Sequence, residues 1–179
     1  MEKGYIHVYT GNGKGKTTSS LGIALRSLAN GYNVAIGQFV KSKELQYSEV
    51  TALNALSSLG EPFGKVTIEQ FGNGCCCHAP TETAVKLAKE GLEKVKGWIE
   101  SREFDVMILD ELNIALHLGL LDEGEVLEML KNKPENLEII ITGRHASEKI
   151  IEIADLVSEI KEIKHYYRKG VLARRGIEV

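Results

Sequence analysis

Residues 5–18 read YIHVYTGNGKGKTT. A short β-branched and aromatic run passes directly into a loop with glycine at every second position, Gly11, Gly13 and Gly15, and then into a stretch with helical spacing. Strand, glycine-rich turn and helix is the context in which such a loop binds phosphate. Successive loop N–H groups and the helix N-terminus present donors to phosphate oxygens. Lys16 adds a full charge, Lys14 a second cation, and the Thr17 hydroxyl is suited to Mg²⁺. Thr10 stands where such loops usually carry their first glycine, and Gly11 and Gly13 supply the unusual backbone angles instead. Thr10, Gly11, Asn12, Gly13, Lys14, Gly15, Lys16, Thr17 and Thr18 are therefore the candidate nucleotide-binding residues, with Lys14 and Lys16 as the candidate catalytic cations.

Outward from this unit, apolar runs alternate with amphipathic stretches, which predicts a three-layer α/β fold: a mostly parallel sheet with helices on both faces. The runs are 5–9, 33–39, 66–70, 105–109 and 137–142, with a sixth at 156–160. Each is nearly continuous in apolar residues, as expected of strands buried on both faces. Leu21, Ala24, Leu25 and Leu28 share one face of a helix over 17–29 that stops at Asn30-Gly31. A longer helix opens at Pro80-Thr81-Glu82 and ends by Ser101; others begin at Asp122 and Ser147. Residues 41–65, in part helical, and 71–79 are the least regular stretches, and both follow strands, at the sheet edge where ligands bind. No repeat or linker interrupts residues 1–179, which are expected to form one domain.

The fourth strand ends in VMILDE, residues 106–111, delivering Asp110 and Glu111 to that edge. A carboxylate there suits Mg²⁺ bound with phosphate; the alternative is an acid capping a helix. With a net charge of −3, the chain has no global basic footprint for nucleic acid, so the anion site must be local. No apolar run approaches the ~20 residues of a membrane helix and no signal pattern opens the chain, so a cytoplasmic location is expected. The three cysteines, Cys75, Cys76 and Cys77, are adjacent and cannot staple a secreted domain.

Together with this loop, QFVK (38–41), IEQFG (68–72), LDEL (109–112), ITGR (141–144) and a tail of Ala154, Asp155, Val157, Glu159, Lys164, His165, Gly170, Val171, Ala173, Gly176 and Ile177 resemble the P-loop type of ATP:corrinoid adenosyltransferase over nearly the whole chain. The resemblance implies a P-loop NTPase of RecA-like fold that transfers the 5′-deoxyadenosyl group of ATP to the Co(I) of a reduced corrinoid, releasing triphosphate, in cobalamin biosynthesis or salvage. It implies ATP as co-substrate, Mg²⁺ held by Thr17 and Glu111 with support from Asp110, and triphosphate contacts from residues 11–17. Lys41 and Arg144 match motif positions at the same edge. It further implies a homodimer and a separate reductant such as a flavoprotein.

Co(I) is itself a strong nucleophile, and no serine–histidine or cysteine–histidine arrangement is evident. Catalysis would then rest on positioning and on stabilising the departing triphosphate. Where many members of the family carry aromatics after the FG segment, thought to cover the lower corrin face, this sequence reads FGNGCCCHA. Phe71, Cys75 and Cys77 are the candidate corrinoid-pocket residues; packed thiols or a metal or redox role are the other readings of the cysteines. Only residues 1–4 precede the first strand, so the site is expected to be open or closed by a partner subunit. The basic tail over 161–175 is a solvated segment, a flap over phosphates or a dimer contact. A small ATPase or phosphotransferase and a non-catalytic nucleotide switch are the competing functional readings.

Overall fold

Six strands form one all-parallel sheet in the order β3-β2-β4-β5-β1-β6. Along the chain the elements are β1 (Ile6–Thr10), α1 (Lys16–Ala29), β2 (Val34–Ser42), α2 (Ser48–Ser57), β3 (Val66–Gly72), α3 (Glu82–Ser101), β4 (Val106–Asp110), α4 (Leu112–His117), α5 (Glu123–Lys131), β5 (Glu138–Thr142), α6 (Glu148–Ile153) and β6 (Leu156–Glu159), followed by a 3-10 turn, Tyr166–Lys169. This computed structural model describes residues 2–44, 47–74 and 80–178. The expectations for Cys75 and Cys77 lie outside the described residues.

Successive strand residues face opposite sides of the sheet and feed two separate cores. Met107, Leu109, Ile139 and Ile141 pack with α3, α4, α5 and α6 on one face; Val106, Ile108 and Ile140 pack with Ala24 and Leu28 of α1 and Leu53 of α2 on the other. Every side chain of β4 is buried, and Ile139, Ile140 and Ile141 of β5 are wholly so. Each such isoleucine contributes about 1.5–3 kcal/mol of burial. Helices on both faces are what make the near-continuous apolar strands of the sequence possible.

The two edge strands depart from that pattern. β3 is only half-buried, and Leu156 and Val157 of β6 are 42% and 41% exposed, because an edge strand has a neighbour on one side only and helix cover thins there. The carboxyl ends also run further than the apolar runs suggest: β2 reaches Ser42 and β3 reaches Gly72, with a register shift between Phe39 and Ser42. The helix α4, which follows Glu111 at once, was foreshadowed only by the alternative reading of Asp110–Glu111 as a helix-capping acid.

Helix starts differ in a way that positions the site. α3, α5 and α6 are capped by the side chains of Thr81, Asp122 and Ser147. α1 starts from Gly15 at φ 121° and, like α2 and α4, has no side-chain cap, so no side chain competes with an anion for its first N–H groups. None of the described helices is long and apolar enough to cross a membrane.

Candidate active site

The carboxyl ends of β1, β2, β4 and β5 surround a cleft of ≈ 930 Å³. Among the described residues, four non-glycine residues have positive φ, and three of them line this cleft: Val40 at 68°, Glu111 at 59° and His145 at 60°. The fourth, Arg102, ends α3. Backbone held in this region is costly, most of all for a β-branched valine, and its concentration around one cleft marks a functional edge.

Asp110 is the hub. It is 0% exposed, and its carboxylate accepts from Thr17 Oγ1 at 2.8 Å and Thr142 Oγ1 at 2.7 Å on Oδ1, and from Gln38 Nε2 at 3.3 Å on Oδ2. The Lys41 ammonium lies 3.1 Å from the same Oδ2. A buried carboxylate needs this number of donors. The sheet order explains the bridge from Thr142: β5 stands between the loop-bearing β1 and the carboxylate-bearing β4, and the hydroxyl of its last residue turns to β4. Asp110 does not line the cleft, so its effect passes through Thr17.

Glu111 does line the cleft. It stands at the start of α4, as the alternative reading had it, but its side chain makes no capping hydrogen bond there; its backbone N–H donates to Thr142 Oγ1 at 3.0 Å. Burial, and then the neighbouring Asp110 charge, push the Glu111 carboxyl above its usual range against the pull of Lys16, Lys41 and Arg144. Such a carboxylate gains from a nearby divalent cation. Thr17 spends its proton on Asp110 and keeps lone pairs free, so Thr17 and Glu111, backed by Asp110, form a donor set that fits Mg²⁺. No group of three or more His, Cys, Asp or Glu able to hold a metal occurs among the described residues, so a Mg²⁺ held by Thr17 and Glu111 would take most of its ligands from phosphate and water.

Lys16 is 7% exposed and donates from Nζ to the Gly13 carbonyl at 2.7 Å. Burial, assisted by Arg144, lowers its pKa despite Glu111 and Asp110. Asn12, Gly13, Lys14, Gly15, Lys16, Thr17, Thr18 and Arg144 all line the cleft. Thr10 does not: its hydroxyl accepts from Ala146 N at 3.3 Å, tying β1 to the loop after β5. Lys41 also lines the cleft, but two carboxylates hold it, Asp110 and Glu49 at 2.9 Å, with the Tyr47 ring 4.7 Å below. Burial alone would lower its pKa; Asp110 and Glu49 together raise it.

Phe71 is placed elsewhere. It is 6% exposed in the core, 5.4 Å from Phe39 and 6.0 Å from Trp98 between ring centroids, because this position of β3 faces α3 and not the cleft. The sequence reading quoted Gln38 and Thr142 only within motifs, giving neither a site role, and missed Glu49. Gln38 and Thr142 had a signal, a lone polar residue near the carboxyl end of an otherwise apolar strand; Glu49 had none. The tail reaches the site too, with His165, Gly176, Ile177 and Glu178 on the cleft wall.

Comparison with known proteins places the whole chain in a family. Residues 2–179 match the family described as ATP:corrinoid adenosyltransferase BtuR/CobO/CobP. A corrinoid adenosyltransferase of Sinorhizobium sp is 36% identical over 99% of this chain and 81% of its own length. That of Escherichia coli (strain K12) is 34% identical over 99% and 86%. An uncharacterized protein of Nostoc sp. is 41% identical over 98% of this chain, which spans 48% of that protein. A match running from end to end, over a cleft that joins phosphate cradle and carboxylates, makes this chain a member of the ATP:corrinoid adenosyltransferase family.

Proposed function

We propose that the cleft binds ATP with Mg²⁺ and passes its 5′-deoxyadenosyl group to the cobalt of a reduced corrinoid. The observation that carries this reading is the opening of α1: an uncapped helix start whose first two residues, Lys16 and Thr17, face the cleft, with Thr17 tied to Asp110 at 2.8 Å. In the reaction, Co(I) supplies both electrons of the new cobalt–carbon bond to C5′. The C5′–oxygen bond breaks, and triphosphate leaves with its electron pair, taking cobalt formally to Co(III). No side chain has to generate the nucleophile.

The protein's part is to hold the reacting atoms in line and to stabilise the charge gathering on the leaving group. Lys16 and the α1 N-terminus supply that stabilisation at the cradle, with Lys14 and Arg144 beside it. Thr17 and Glu111 hold Mg²⁺, which when bound neutralises part of the triphosphate charge. Lys41 steadies Asp110, so that Asp110 Oδ1 stays turned to Thr17. The chain acts as one domain, as a homodimer, with the electrons that bring the corrinoid cobalt to Co(I) supplied by a separate reductant such as a flavoprotein.

Product analysis tests the proposal. Mg-ATP incubated with chemically reduced cobalamin or cobinamide should give intact triphosphate in equal amount to an alkyl-cobalt spectrum. ADP and phosphate formed without corrinoid would identify an ATPase in its place.

A further inference from the structure

We propose that residues 161–178 are a basic strap that closes on the triphosphate and orients Lys14, with Glu178 the positioning residue that holds the end of the strap in place. The proposal rests on the nucleotide reading above and adds a moving part to that site.

The base of the strap is fixed to the phosphate loop. Ile160 N donates to the Thr10 carbonyl at 2.8 Å, and Gly13 N donates to the Ile160 carbonyl at 2.7 Å. The approach is so close that a Cβ on Gly11 would lie 2.5 Å from the Ile160 oxygen. From there the chain leaves the body and returns, and Lys14 Nζ donates to the Ile177 carbonyl at 3.0 Å. An ammonium has three donors, so this bond leaves Lys14 two for phosphate oxygens. Strap and anion are therefore partners of one lysine rather than competitors for it.

The return is secured within the strap. Glu178 accepts from Arg174 N at 2.8 Å, from the Arg174 guanidinium at 3.2 Å and from the Tyr166 hydroxyl, while the guanidinium carbon lies 5.1 Å from the Tyr166 ring centre. This knot adds little to the core: Ile163 is 90% exposed, Leu172 74% and Tyr167 68%. What it does is set residues 176–178 against the cleft. Residues 161–178 carry six Lys or Arg against two Glu in a chain of net charge −3, and Glu162 already pairs with Arg168. A polyanion in the cleft draws such a segment inward.

The same basic residues make the strap readable by trypsin. Full-length protein is digested with and without Mg²⁺ and inorganic triphosphate, and triphosphate binding is measured in parallel by calorimetry. Triphosphate should slow cleavage within 161–178 about tenfold, the effect of ~1.4 kcal/mol of added closure. Tyr166→Phe and Glu178→Ala should remove that protection and raise the triphosphate Kd and the KM for ATP several-fold, with the thermal midpoint little changed. Glu178→Gln, whose amide oxygen still accepts, should restore part of both. If triphosphate binds but cleavage is unchanged, or if Glu178→Ala stays protected, the strap proposal falls and the cradle stands. If triphosphate does not bind, both fall.

Discussion

Replacing Thr142 by valine isolates the contact on which the carboxylate hub depends. Thr142 is 0% exposed, donates to Asp110 Oδ1 at 2.7 Å and accepts from Glu111 N at 3.0 Å. Valine has nearly the same volume, so the change removes two hydrogen bonds without opening a cavity. A hydrogen bond to a charged acceptor is worth roughly 1.5–3 kcal/mol, and a buried N–H left unpaired costs roughly 1–3. Asp110 keeps Thr17, Gln38 and Lys41, so the loss should fall near the lower half of the combined range, about 3 kcal/mol. In a chain of this length that lowers the thermal midpoint by roughly 6–12 °C. Calorimetry or thermal circular dichroism of the nucleotide-free protein reads it, with Thr142→Ser, which keeps the hydroxyl, as the control. The same change loosens the backbone of Glu111, held at φ 59° by this bond, so the Mg²⁺ concentration needed for half-maximal ATP binding should rise. A midpoint within about 2 °C of the parent would refute the reasoning, since it would mean that Asp110 and Glu111 do not rely on the hydroxyl.

Lys16→Ala should lower turnover by about two to three orders of magnitude, the usual cost of removing a donor aimed at developing charge; near-normal turnover would refute the cradle assignment. Thr17→Ala should raise the Mg²⁺ requirement, read by metal titration of ATP binding. The affinity for Mg-ATP should have an acidic and an alkaline limb. Glu111 is raised above 4.5, so metal binding weakens as pH falls through that raised value, and Glu111→Gln should abolish this limb. Lys16 is lowered below 10.5, so on the alkaline side its charge is lost earlier than for an ordinary lysine, and a titration of affinity against pH should show the fall. In the free protein the raised Glu111 pKa means the ionised group opposes folding above 4.5, so Glu111→Gln should also increase thermal stability at neutral pH while abolishing metal-dependent binding.

Much of this was legible in the residues themselves. Continuous apolar runs and capping residues such as Thr81, Asp122 and Ser147 located strands and helices, because local hydrogen bonding and burial on two faces decide those elements. The loop at 10–18 and the Asp110–Glu111 pair carried the site because their roles depend on spacing and on where the strands end. What escaped depends on long-range placement. Thr142 and Gln38 act on Asp110 from 32 and 72 residues away, and only the sheet order brings them together. Lys41 lines the cleft where it was expected, but its pairing with Asp110, which depends on the bulge of β2 at Val40, was not legible. Phe71 was expected near the corrinoid, but the alternation of β3 sends its ring to α3.

The uneven division of charge between strap and body has a kinetic side. Six of the chain's 22 basic residues lie in one short segment whose residues 165 and 176–178 line the cleft, so the remainder is more acidic than the net −3 indicates. With a nucleotide bound as proposed, this positive segment lies beside the entrance to its site. A highly charged nucleotide diffusing nearby is turned toward that entrance before any contact forms, and salt screens the effect over about 10 Å at 0.1 M. Ionic strength should therefore slow the capture of ATP, while its release, governed by the buried contacts of Lys16 and Thr17, stays nearly constant.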